Sequence, residues 1–146
     1  MVHTSTDLPS PMPAKPVPVP SALTQPYWDA AQRGQLVLQQ CSACATIRHY
    51  PRLLCAQCHS SEAHWTPASG LGHIHSWTVC HHVFHPGFAA DVPYVLVTVD
   101  LQEGVRALGR WRGGPLAIGL PVCGHFEAMG DSVQLVFSPE SALNNS

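Results

Sequence analysis

The chain has 146 residues, of which 11% are charged, with 7 Lys plus Arg against 9 Asp plus Glu. A net charge of -2 excludes a broad field that would attract nucleic acid or an anionic membrane, so any anion site has to be local. The length excludes two large cores and suits a compact barrel carrying a small metal-stapled module.

The opening stretch, MVHTSTDLPSPMPAKP, shows no apolar h-region followed by a cleavage site, so no secretory signal is read and a cytoplasmic protein is expected. The most apolar run, Pro93 to Leu101, is far shorter than a membrane-spanning helix needs, and no membrane association is expected. Seven of the fourteen prolines fall between Pro9 and Pro26. Such a run removes backbone donors and favours an extended path, and residues 1–25 are read as a disordered Pro-rich leader.

Residues 26–40 then read as a helix and a lead-in strand. YWDAAQRG supplies helix formers and ends on Gly34, a natural C-cap, and LVLQQC runs as a short apolar strand into the first cysteine pair. Residues 41–66 hold two cysteine knuckles. From about residue 67 to 140 every segment reads as strand and turn. The expected strands are His73 to Phe84, Tyr94 to Leu101, Val105 to Arg112, Val122 to Met129 and Val133 to Ser138, with hairpin turns at 102–104 and 130–131. Residues 113–121 are too rich in Gly and Pro for a useful helix, and 141–146 read as a flexible tail. The chain is therefore predicted to be mainly β: an N-terminal helix, a rubredoxin-like zinc ribbon, then a five-stranded OB-fold barrel.

Period-two alternation puts Val95, Val97, Val99 and Leu101 on one inward face. In the next strand the same parity sends Ala107, Gly109 and Trp111 inward and leaves Arg106, Arg110 and Arg112 on an outward stripe.

The motif C-x2-C-x10-C-x2-C is the strongest chemical signal. Each C-x-x-C presents two thiolates, so Cys41, Cys44, Cys55 and Cys58 complete a tetrahedron with no open position, as a structural zinc site requires. One zinc per chain is expected. A rubredoxin-like iron site or redox dithiols are the alternatives that the spacing leaves. In a reducing compartment the six cysteines favour metal over a disulfide framework. Cys80 and Cys123 read as small buried apolar residues, and His59 and His64 as exposed side chains. His73, His75, His81, His82 and His85 cluster after Gly72. Without metal-ligand spacing they read first as solvated imidazoles, with His85 the best placed for a role. No Ser-His-Asp arrangement, phosphate loop or paired carboxylates are evident, so no catalytic residue is assigned.

The segments PYWDAAQRGQLVLQQCSAC, PRLLCAQC, WTPASGLGHIHSWTVCHHVFHPGF and VPYVLVTVDLQEGVRALGRW together resemble the zinc-ribbon plus OB-fold family of thiolase-associated proteins, over about residues 26–138. The resemblance implies an auxiliary acyl-CoA-binding subunit paired with a thiolase-like catalytic chain. Such a pair would make or break a carbon-carbon bond on a β-keto or β-hydroxy acyl-CoA. On that reading Arg106, Arg110 and Arg112 are candidates for the CoA phosphates, and Tyr27 and Trp28 for the partner contact. The alternatives are a single-stranded nucleic-acid binder, which the single lysine, Lys15, disfavours, and a scaffold without a ligand.

Overall fold

The structure is a computed structural model and describes residues 11–141. Helix α1 (Gln25–Gln32) has Pro26 in its first turn, where a missing amide costs nothing. It stops where Gly34 takes φ +74° and the amides of Arg33, Gly34 and Gln35 turn back to Ala30 and Ala31. The helix lies on a small antiparallel sheet of β1 (Val37–Cys41), β2 (Ile47–Arg48) and β3 (Ala63–Pro67), with β1 in the centre.

The barrel follows: β4 (Leu71–Cys80), β5 (Tyr94–Leu101), β6 (Arg106–Trp111), β7 (Pro121–Met129) and β8 (Ser132–Pro139). Its closed order is β4-β5-β6-β8-β7, with β6 and β8 the parallel pair that completes the circuit. This is the mainly β architecture of helix, ribbon and five-stranded barrel that the residue pattern predicts. Val97, Val99 and Leu101 are buried in the core as alternation requires, and so are Ala107 and Trp111. Residues 112–120 carry no helix or strand. Ribbon and barrel share one core, because Tyr27, Leu36 and Leu38 join Ile74, Val122 and Phe137.

Three expectations need correction. The first barrel strand ends at Cys80 rather than Phe84. Cys80 pairs with Tyr94, the first residue of β5, so beyond it the strand has no partner. A bulge between Ile74 and Ser76 also shifts the register, placing Trp77 opposite Val97 and Val79 opposite Val95. Both therefore follow Ile74 onto the inward face. They stay exposed, at 42% and 45%, because β7 pairs with β4 only from Leu71 to His73.

The leader is the second correction. Residues 1–10 lie outside the described residues, as do 142–146 of the expected tail. From Ala14 onward, however, the expected disorder does not hold. Lys15 pairs with Asp91 at 2.7 Å and lies over the Phe88 ring. The Ala14 carbonyl is so close to Gly87 that a Cβ there would meet it at 2.8 Å. A polyproline path makes no internal hydrogen bonds, so these side-chain and packing contacts are what hold it.

The third concerns β6. Arg106 and Arg110 do share a face, but Arg110 is buried, at 8% exposure.

Phe137 fills the barrel between Gly109 and Gly124, where an added Cβ would stand 2.7 and 2.8 Å from its ring. Gly109→Ala should therefore destabilise the fold by about 1–3 kcal/mol through overpacking. Gly114→Ala, whose Cβ would meet nothing within 4 Å, should be close to neutral. Thermal unfolding of the two variants compares them directly.

Candidate functional site

The four cysteines come from two loops. Cys41 ends β1 and Cys44 lies in the turn that follows, while Cys55 and Cys58 belong to the turn before β3. Their four sulfurs lie within 4.8 Å of one another, with Cys41–Cys58 and Cys44–Cys55 both at 3.6 Å. A tetrahedron with metal–sulfur bonds of about 2.3 Å has edges of about 3.8 Å, so the sulfurs already stand where a metal ion needs them. Cys41 and Cys55 are buried, and Cys44 and Cys58 are exposed.

The backbone prepares the charge. The Cys44 amide holds the Cys41 thiol below its ordinary range, the Thr46 hydroxyl does so for Cys44, and the Cys58 amide for Cys55. Cys58 differs: the Ser60 amide lowers it, but the neighbouring sulfurs of Cys44 and Cys41 outweigh that and push it up to about 12. Three of the thiols are thus lowered and the fourth is raised by its neighbours, a crowding of sulfur charge that a cation among them would relieve. It is the only group of three or more potential metal ligands among the described residues.

The five clustered histidines do not converge. His75 pairs with Asp100 at 3.0 Å, His82 packs edge-on against Phe84, and the His85 ring accepts the Gly87 amide to cap a 3-10 turn, Pro86–Phe88. His59 and His64 are exposed, as expected.

Each of the three β6-region arginines has a carboxylate partner. Arg106 pairs with Asp100 at 2.7 Å, Arg110 with Asp91 at 2.8 Å and Arg112 with Glu127 at 3.1 Å. Arg110 also stacks on Tyr94 at 4.6 Å. Lys15 and then Arg110 hold the Asp91 carboxyl below its usual range. The Tyr27 ring is buried, meeting Trp28 and Phe126 edge-on and His49 at a tilt, and burial pushes its phenol up to about 12. Tyr27 therefore packs within its own chain at the ribbon–barrel junction, and Trp28 is left partly exposed beside it.

Two cavities flank this junction. One, of about 390 Å³, is an apolar groove walled by Trp28, Tyr50, Leu96, Leu108, Met129 and Leu135, with Pro18 of the leader at its edge. It lies over the second and third barrel strands and the turn between the last two, the face on which OB-folds commonly bind ligands. The other, of about 350 Å³, is lined by Arg48, Arg52 and Arg106. The residue pattern assigns no role to Arg48 and Arg52. Two arginines flanking an aromatic in RHYPR, inside a loop bounded at both ends by cysteine pairs, were the available signal.

The model of the ChsH2 rubredoxin-like zinc ribbon domain matches residues 28–63, and that of the ChsH2 C-terminal OB-fold domain matches residues 65–138. The chain belongs to the ChsH2 family. A Thermomonospora curvata protein named "Probable enoyl-CoA hydratase alpha subunit" is 38% identical over 99 residues, which are 66% of this chain and 30% of that protein. A "DUF35 domain-containing scaffold protein" of Methanocaldococcus jannaschii is 30% identical over 80 residues, 54% of this chain and 56% of that one. The chain thus spans under a third of the first relative and just over half of the second. Among solved structures, this ChsH2-family chain is 33% identical to a chain of the "Ltp2-ChsH2(DUF35) aldolase", with a TM-score of 0.76 over 84% of this chain and 98% of that one. No helix among the described residues is long and apolar enough to cross a membrane.

The Lys15–Asp91 clasp gives a direct test. Because the folded Asp91 carboxyl is held low, its pairing contributes above the unfolded value of about 3.9 and is lost as pH falls through the lower folded one. At neutral pH, Lys15→Ala should free residues 11–24, so that limited proteolysis cuts there several-fold faster. The ion pair is only partly buried and Asp91 keeps its pairing with Arg110, so the barrel's melting temperature should change little.

Proposed function

We propose that this chain is a non-catalytic, acyl-CoA-binding subunit that assembles with a thiolase-like catalytic chain, acting in carbon-carbon bond cleavage or formation on a β-keto or β-hydroxy acyl-CoA. The observation that carries this reading is the likeness to the aldolase-complex chain, which runs through ribbon and barrel together and covers 98% of that chain. In the assembly the partner supplies the nucleophile and the acid/base groups, while this chain supports and completes the site.

One structural zinc per chain, held by Cys41, Cys44, Cys55 and Cys58, is part of the same reading. The ion would tie the two knuckle turns together and supply folding free energy to a ribbon with a small core. Trp77, Val79, Val83 and Phe84 support a partner contact. They expose 39–75% of their surface along the β4 edge and the loop after it. Among the described residues, no strand other than β5 pairs with β4 beyond His73. An apolar strip beside open backbone donors and acceptors suits another protein chain. Trp28 remains a candidate contact, and Tyr27 acts through the packing that holds it. Arg106 and Arg112, whose side chains are 60% and 44% exposed, remain candidates for CoA phosphates. Arg110 we assign to the floor of the apolar groove. The nucleic-acid reading gains nothing here, because Arg110 is the one cation lining that groove and it is neutralised by Asp91.

Metal analysis after dialysis should return about one zinc per chain, lost in Cys58→Ser and kept in Cys80→Ser and Cys123→Ser. With the catalytic partner co-expressed, acyl-CoA turnover should require both chains. Trp77→Glu combined with Phe84→Glu should abolish co-purification without lowering the melting temperature. Turnover by either chain alone, or a complex indifferent to that pair, contradicts the reading.

A further inference from the structure

We propose that the outer face of β6 carries a two-part site for a phosphorylated acyl carrier, with the phosphate head among Arg48, Arg52 and Arg106 and the apolar arm in the groove of Trp28, Leu96 and Leu108. The proposal rests on the acyl-CoA part of the preceding reading and gives it a location.

The two cavities are adjacent because one strand serves both. Arg106, Leu108 and Arg110 share the outer face of β6, spaced by about 6.6 Å. Arg106 opens into the 350 Å³ cavity, Leu108 and Arg110 into the 390 Å³ groove. Between them stands the ribbon loop. The Leu108 amide donates to the Tyr50 hydroxyl at 3.1 Å, so Tyr50 forms the ridge, with Pro51 on the groove side and His49 and Arg52 on the other.

The chemistry of the two cavities differs in the way a polyanion with an apolar arm requires. Three of the chain's six arginines line the first cavity, and no carboxylate is among its lining residues. Their donors are incompletely used among the described residues. Arg106 gives Nε to Asp100 and keeps both terminal nitrogens free. Arg52 makes no side-chain hydrogen bond, and Arg48 Nη1 is buried without a partner. A guanidinium donor lacking an acceptor is costly, and a phosphate oxygen is the acceptor that suits its geometry. His49 adds no competing charge: burial lowers it to about 4, so its ring is neutral at pH 7. In the groove the situation is reversed. Arg110, its one cation, gives Nη1 to Asp91 and lies over Tyr94; its Nε is buried without a partner, but the paired carboxylate offsets its charge and the rest of the lining is largely apolar.

Cys55 borders the cationic cavity, so a zinc ion held by the four thiolates would leave net negative charge beside it and offset part of the arginine field.

Calorimetric titration of the full zinc-loaded chain should use 3′,5′-ADP, CoA, acetyl-CoA, octanoyl-CoA and inorganic phosphate. The site requires 3′,5′-ADP and CoA to bind and octanoyl-CoA to bind tighter than acetyl-CoA. Arg52→Ala with Arg106→Ala should weaken every nucleotide ligand by about tenfold or more. Leu108→Glu should cancel the octanoyl gain and leave 3′,5′-ADP unchanged. Melting temperatures establish that each variant is folded. Three results overturn the site: no binding of 3′,5′-ADP, inorganic phosphate bound as well as CoA, or arginine substitutions that leave CoA binding intact while loosening zinc. In the last case the arginines serve only the metal centre. If partner-dependent turnover persists while CoA binding ignores these residues, this site is wrong and the subunit reading stands. If CoA binds as described but no partner-dependent turnover exists, the site stands and the subunit reading fails.

Discussion

Four sulfurs that stand within 4.8 Å of one another constrain more than their own cluster. The ten residues between Cys44 and Cys55 are tethered at both ends to the same cluster, so the loop they form has few ways to run. It pairs briefly with β1 through Ile47 and Arg48 and then crosses to the barrel. There Tyr50 meets the Leu108 amide and His49 stacks against Tyr27. The Gln39 side chain, buried in β1, accepts from Arg48 Nε and from the Arg52 amide, binding the loop back to the ribbon. The convergence of the four sulfurs, the path of the loop and the position of two arginines against β6 are therefore one linked constraint.

The barrel shows how the same residue type can be put to different uses along one strand. Arg106 and Arg110 are four residues apart on the same face of β6. Arg110 falls beneath the leader and the loop after β4, where Lys15 and Asp91 complete a compact charge cluster and Tyr94 covers the guanidinium. Burial of that charge is tolerated because its carboxylate is at hand. Arg106 is 60% exposed at the other end of the strand and keeps donors to spare. What separates them is the chain laid over β6 from elsewhere, a feature invisible in the local pattern.

That distinction also explains what could be read from residues alone. Cysteine spacing picked out the four sulfurs that converge because each knuckle is set by a few adjacent bonds, and alternation in VLVTVDL located the core of β5 because neighbours on a strand must face opposite ways. Past Ile74 the bulge reversed the parity, and no residue in HIHSW announces it. The burial of Arg110 and Tyr27 depended on Asp91, Tyr94, Phe126 and His49, partners 16 to 99 residues away. Contacts of that kind are tertiary, and composition or period carries no trace of them.

The open half of β4 is best understood alongside this. A strand whose inward face bears Trp77 and Val79 would ordinarily be covered by the strand closing the barrel, yet β7 leaves it after His73. Covering these side chains internally would need β7 to run beyond its pairing with Leu71–His73, and instead residues 112–120 follow an irregular path and reach β4 through Gly119 and Leu120, at Ile74 alone. Exposed aromatic surface and unpaired backbone on the same edge are costs to an isolated chain that another protein can remove in one step. The opposite side of the barrel, where the groove and the arginine cavity lie, is separated from that edge by β5. Partner docking at β4 and ligand binding at β6 thus do not compete for the same surface, and a ligand held on β6 stays accessible while β4 is covered.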